Sequence, residues 1–238
     1  MLLFLFGIVL LAGCTGDDNY GGSYTLVFLP HKSNFIRVAS KQRIERTYDN
    51  KNWFDTYHDL DANASLRSSD YAIRLNTSNG YSKADLDTGI PTLEEEIERS
   101  FRRCFKSNSG KSGESTALFE IFYCVDPIAD LTISALDTPL FGKPAGASLN
   151  EYFEISKYDP DFIASYDSKR LLYGYTDVDK PTAIDEWLSL HPMAPHIMFL
   201  RLNATPGELP VTLRFKVDME TTYGIVVSDT TKVVTLTN

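Results

Sequence analysis

Val211, Leu213, Phe215, Val217 and Met219 are apolar, while Thr212, Arg214, Lys216 and Asp218 between them are polar. Strict period two over nine residues is the signature of a strand with one face on a core and one in water. The pattern resumes at 225–228 and 232–237 around a turn at Asp229-Thr230. Earlier runs read the same way: Tyr24 to Leu29, Tyr71 to Leu75, Ala117 to Val125, and Ile128 to Leu136, the last two separated by the turn signal Asp126-Pro127. Residues 34–50 are mixed and polar, with basic Lys41, Arg43 and Arg46.

Helical signals lie between the strands rather than alternating with them. A helix is expected over 93–106, with Thr92 and Glu95 as its capping box and Leu93, Ile97, Phe101, Cys104 and Phe105 as its apolar stripe. Ser148 and Glu151 suggest a second short helix near 149–154, and Pro181 to Leu190 a third that buries Ile184, Trp187 and Leu188. This order predicts a mainly β, α+β fold: an antiparallel Ig-like or prealbumin-like β-sandwich with inserted helices, formed by residues 23–238 as one domain.

The beginning of the chain has a different logic. Leu2 to Leu11 is apolar except for Gly7, and about ten such residues are too few to span a bilayer, which needs ~20. That length suits the hydrophobic region of a signal peptide. Leu11-Ala12-Gly13-Cys14 resembles the lipobox of bacterial lipoproteins. The resemblance implies a signal peptide over 1–13, lipid on the Cys14 thiol, and a flexible tether over 14–22 containing Gly21 and Gly22.

Three cysteines less Cys14 leave Cys104 and Cys124, an even pair in an oxidising compartment. They either bridge the helix to the following strand or remain two buried thiols. A net charge of -9 opposes phosphate backbones, so nucleic acid is not an expected partner.

Pro144-Ala145-Gly146-Ala147-Ser148-Leu149-Asn150-Glu151-Tyr152-Phe153 follows Ile133-Ser134-Ala135-Leu136-Asp137. With the lipobox and the alternating C-terminal hairpin, this resembles a family of uncharacterised lipoproteins of gut Bacteroidetes. The resemblance implies neither an activity nor catalytic residues. It does imply an outer-membrane location, with Asp17 and Asp18 resembling the acidic signal for display at the cell surface. Asp229-Thr230-Thr231 resembles the O-glycosylation triplet of that phylum, with Thr230 as the acceptor.

Few residue patterns suggest chemistry. Asp59, Asp61, Asn63, Ser65 and Asp70 follow the spacing of a calcium loop, but Ala64 stands where such a loop wants Gly and Asp70 where it wants a bidentate Glu. Gly110-Lys111-Ser112 lacks the first glycine of a phosphate loop. His191 and His196 are spaced unlike common zinc ligands. No metal or cofactor is therefore expected. Trp53, Phe54 and Tyr57 form one aromatic cluster, and Tyr166, Tyr173, Tyr175 and Trp187 another; if exposed, they can stack on sugars. Three functions follow in order: a non-catalytic surface module binding a glycan or an envelope protein, an adhesin-like subunit pairing through the edge of strand 232–237, and a hydrolase assembled from distant residues.

Overall fold

The computed structural model describes residues 24–33, 35–48, 52–77, 88–104, 117–158, 181–189, 191–194 and 197–238. Within them the chain is mainly β, a sandwich with two short inserted helices. The strands are β1 (Tyr24–His31), β2 (Arg37–Tyr48), β3 (Asn52–Asp59), β4 (Ala64–Arg67), β5 (Tyr71–Asn76), β6 (Ala117–Cys124) and β7 (Ile128–Ala135). They continue as β8 (Phe153–Tyr158), β9 (Thr182–Ala183), β10 (Ile197–Leu202), β11 (Val211–Leu213), β12 (Phe215–Thr221), β13 (Val226–Thr230) and β14 (Val234–Thr237). The helices are α1 (Pro91–Cys104) and α2 (Ile184–Leu188). No described helix is long and apolar enough to cross a membrane.

The largest sheet has the order β3-β2-β5-β10-β8-β9. Its inner face faces the sheet β13-β12-β7: the Phe215 ring lies 5.3 Å from Tyr71 and 5.4 Å, edge-on, from Phe153. Tyr71, Ile73 and Leu75 meet Ile133, Phe215, Val217 and Met219 in one core, all of them fully buried. A third sheet, β11-β14-β4, extends that core with Leu213, Val234 and Leu236. Beside these lies the parallel pair β1–β6.

The alternation from 211 to 219 survives, but it belongs to two strands in two sheets. The break is at Arg214: β11 pairs with β14, whereas β12 pairs with β7 and β13. Arg214 holds the corner through two hydrogen bonds to Asp137, at 2.9 and 2.7 Å, while its carbonyl accepts the Leu136 N–H at 3.0 Å. Changing sheets at one residue leaves the in-out period intact.

Several sequence expectations need correction. Residues 37–48, polar in composition, form the longest strand; Val38 and Ser40 face the core while Arg37 and Lys41 take the other face. The first helix starts at Pro91, where the missing N–H of proline costs nothing. Thr92 therefore sits inside the first turn, and the Ile90 carbonyl accepts the N–H groups of Leu93 and Glu94 at 3.0 Å. The stretch near 149–154 is a single 3-10 turn over Asn150–Tyr152 running into β8. Asn150 acts there as a substitute strand partner, accepting from Ile133 N at 3.0 Å and donating to Leu131 O at 2.7 Å. The third helix shrinks to Ile184–Leu188 because Thr182 and Ala183 pair with Ile155 and Glu154.

Candidate functional site

The aromatic residues singled out in the sequence do not form one surface. Trp187 is fully buried beneath α2, so it is core and not a sugar platform; a large apolar ring at the centre of a small helix gains most by packing inward. Tyr57 is half-buried, and its ring stacks on Phe199 at 3.9 Å. The backbone of Trp53 is in β3, but its side chain lies outside the described residues, as do Tyr173 and Tyr175. Cys14 also lies outside them.

The Cys104–Cys124 bridge is not formed. Cys124 is a free, buried thiol with its Sγ 3.4 Å from Thr77 Oγ1. Cys104 closes α1, and its side chain is outside the description. Cys124 belongs to a buried polar junction where β1 and β6 end, together with His31, Ser33, Thr77 and Asp126. The Asp126 carboxylate accepts a short hydrogen bond from Ser33 N, and the His31 carbonyl accepts Val125 N at 2.9 Å. Burial pushes the Cys124 thiol up, outweighing its hydrogen bonds to Ser33 and Thr77. A protonated, enclosed sulfur is a poor nucleophile, so this junction joins the parallel pair to the sandwich and offers no reactive thiolate.

The calcium-like segment is also committed elsewhere. Asp59 pairs with Lys41 at 2.5 Å and Asp70 with Arg67 at 2.9 Å; Asn63, at φ +65°, opens β4. In the Asp229-Thr230-Thr231 triplet the flanking residues are structural. Asp229 accepts Val38 N at 2.8 Å, linking β13 to β2, and the buried Thr231 hydroxyl accepts Phe215 N at 2.9 Å. Thr230 between them is half-buried. The terminal strand β14 is not an open edge. It runs between β11 and β4 with Val234 and Leu236 buried.

A different place has the features of a site. Leu140 and Lys143 exchange N–H···O bonds of 3.0 Å across Phe141 and Gly142, whose φ angles are +54° and +71°. That is a type I′ turn, which favours Asn-Gly. A phenylalanine there costs roughly 1–2 kcal/mol in backbone energy. The turn is held from three sides. Phe141 stacks on Tyr152 with centroids 3.9 Å apart and planes 5° from parallel. Gly142 donates its N–H to Glu208 Oε1 at 2.7 Å. Lys143 pairs with Glu151 at 2.7 Å and donates to Ser148 O at 3.0 Å. The Lys143 ammonium also lies over the Tyr152 ring, 5.4 Å from its centroid.

The charges of this turn are set by the same contacts. Backbone N–H donors, Gly142 first, hold the Glu208 carboxyl below the ordinary range. Lys143, then the Tyr152 hydroxyl, does the same for Glu151, and Glu151 pushes Tyr152 up. The result is a rigid, half-exposed aromatic ledge with carboxylate and ammonium groups along its rim. Sequence reasoning did not single it out. The available signal was Gly142 between Phe141 and Lys143, which marks a turn without revealing that Phe141 shares its left-handed backbone. No family model matches the chain, and neither does a curated protein or a solved structure.

Proposed function

We propose that this chain is a lipid-anchored envelope protein that binds a glycan without catalysis, using the Phe141–Tyr152 ledge as its contact. The observation that carries this reading is the strained turn. A bulky residue held at positive φ persists only where surrounding contacts over-determine it, and such strain concentrates at ligand clamps. Loops at the end of a sandwich are the usual place for recognition. The apolar face of a sugar ring packs on the half-exposed aromatic surface, while Glu151 and Asn203 at the rim offer hydrogen-bonding groups.

The test is Phe141→Asn. Asparagine suits the turn, so relief of backbone strain offsets the lost stacking and stability stays within about 1 kcal/mol of wild type. Retention on a glycan array should fall at least about tenfold, the equivalent of 1.4 kcal/mol. Unchanged retention would remove the ledge as the contact. Lipid attachment is tested separately, by labelling with a palmitate analogue: the wild-type chain should incorporate it and Cys14→Ser should not. Thr230 remains the candidate for an attached O-glycan, checked by a mass shift lost in Thr230→Ala.

A second reading, a protein partner that adds a strand along the outer edge of β13 ahead of its Asp229 link to β2, is favoured by one observation. Tyr223, 71 % exposed, lies in the turn that enters this edge strand, and Val226, 64 % exposed, is its first residue. Val226→Lys would then abolish pairing and leave glycan retention intact.

A further inference from the structure

We propose that two copies of this chain join edge to edge along β13, antiparallel, about a two-fold axis through Val227. This names the partner in the strand-pairing reading above and rests on that reading; it does not depend on the glycan contact at the ledge.

Hydrogen-bond parity decides which backbone groups of β13 are available. In the β12–β13 register Thr221 N donates to Ile225 O at 2.9 Å, and Thr231 N donates to Phe215 O at 2.8 Å. Alternate residues of an antiparallel strand bond to opposite sides. Val227 and Asp229 therefore bond inward to β12, while Val226, Ser228 and Thr230 turn their N–H and C=O groups outward. The Thr230 end is closed: its N–H donates to Asp229 Oδ1 at 2.8 Å, and Asp229 Oδ2 accepts Val38 N. The open length is Val226 to Ser228. Among the described residues nothing bonds to the outward backbone groups of these two, and both side chains are exposed, Val226 at 64 %.

That length is complementary to itself. An axis through Val227 sets Val226 opposite Ser228 of the second copy, and Ser228 opposite its Val226. Each is then a hydrogen-bonded pair that exchanges both N–H···O bonds. Val227 meets its own copy as the close, non-hydrogen-bonded pair, which covers the rest of a half-buried side chain packed against the core. The contact is isologous, so it closes at a dimer and leaves no rung open for a third chain.

Charge permits the same contact. A chain of net charge -9 repels its own copies, so a self-contact needs a neutral seam. Ile225-Val226-Val227-Ser228 carries no charge. Asp218, beside Ser228, accepts a short bond from the Ser228 hydroxyl and pairs with Lys216 at 2.7 Å. Glu220, beside Val226, stands roughly 14 Å from Asp218 of the second copy at about 4.8 Å per strand, beyond the screening length at physiological salt. Lysine and proline, the usual guards of an edge strand, are missing from this stretch. The large apolar side chains that stand exposed among the described residues, Tyr223 and Val226, both belong to this edge.

The experiment is sedimentation velocity of the full chain over a wide concentration range. A reversible monomer–dimer transition is expected, and Ser228→Pro should weaken it at least about tenfold. Proline there removes an outward N–H and no ladder bond to β12, which an edge strand tolerates, so the thermal midpoint should change little. Ser228→Ala should leave the dimer intact. Val227→Cys should give an intermolecular disulfide on mild oxidation and Val226→Cys should not, because the axis brings only position 227 against itself. A chain that stays monomeric, or a dimer indifferent to Ser228→Pro, overturns self-pairing. A short Thr-Val repeat peptide carrying fluorescein separates the two failures. A monomeric chain that binds it, and loses it in Ser228→Pro, uses the edge for another protein's strand; one that does not bind it removes the strand-pairing reading as well.

Discussion

Asp126 and Glu208 perform the same local task in opposite surroundings. Each lends a carboxylate oxygen to a distant backbone N–H, Asp126 to Ser33 and Glu208 to Gly142. Asp126 is 4 % exposed and surrounded by Cys124, His31 and Thr77, so its bond closes the seam between the parallel pair and the sandwich. Glu208 is only partly covered, and its bond keeps a strained turn in place at the surface. A buried clip stabilises the fold because nothing else can satisfy its partner. An accessible clip costs little to lose, since water replaces it, but it fixes a geometry that something outside the molecule can meet. The first region is rich in reactive side-chain types and has none available; the second has ordinary side chains in an unusual backbone.

That contrast can be broken most forcefully from the interior. Trp187→Ala should cost about 3–5 kcal/mol in a denaturant titration, as removal of a fully buried ring does. A loss under 1 kcal/mol would mean that the indole is not core. Asp126→Ala should follow at roughly 2–3 kcal/mol, because it strands the buried Ser33 N–H. If Glu208→Ala destabilised as much as Asp126→Ala, the distinction between the two clips would fail. The smallest effect is on pH. The Glu208 carboxyl is depressed in the folded chain, so its contribution is complete above the unfolded value of about 4.3 and disappears as the pH falls through the lower folded value. The Gly142 amide resonance should therefore titrate with a midpoint below that of a free glutamate; a midpoint at or above it would show that the bond is absent in solution.

The parts of the fold legible in the sequence are those where one residue has one neighbourhood. Phe215, Val217 and Met219 alternate because every second side chain enters the same core. The change of sheet at Arg214 is invisible, because crossing from one sheet to the next preserves the period. The strand over 37–48 is hidden by its outer face: Lys41 makes the segment look solvated, yet its side chain is only 5 % exposed and its ammonium is paired with Asp59. Aromatic residues carried the least positional information. Trp187 and Tyr57, alike as candidates, ended as a core residue and as half of a ring stack. The ledge was illegible for a sharper reason. Phe141 occupies a conformation its own preference opposes, and of the groups that hold the turn, Tyr152 comes from the 3-10 turn before β8 and Glu208, bonded to Gly142, from a distant part of the chain.

One pairing sets the order in which the molecule can be completed. β14 lies parallel to β4, Val234 beside Ala64 and Leu236 beside Leu66, and the same strand covers the edge of β11. A chain emerging from the ribosome carries β4 long before its partner exists, and no local hairpin can substitute for a parallel neighbour. Until β14 is made, both flanking strands are without their centre. Completion of this sheet therefore waits for β14, whose two partners come from distant parts of the chain.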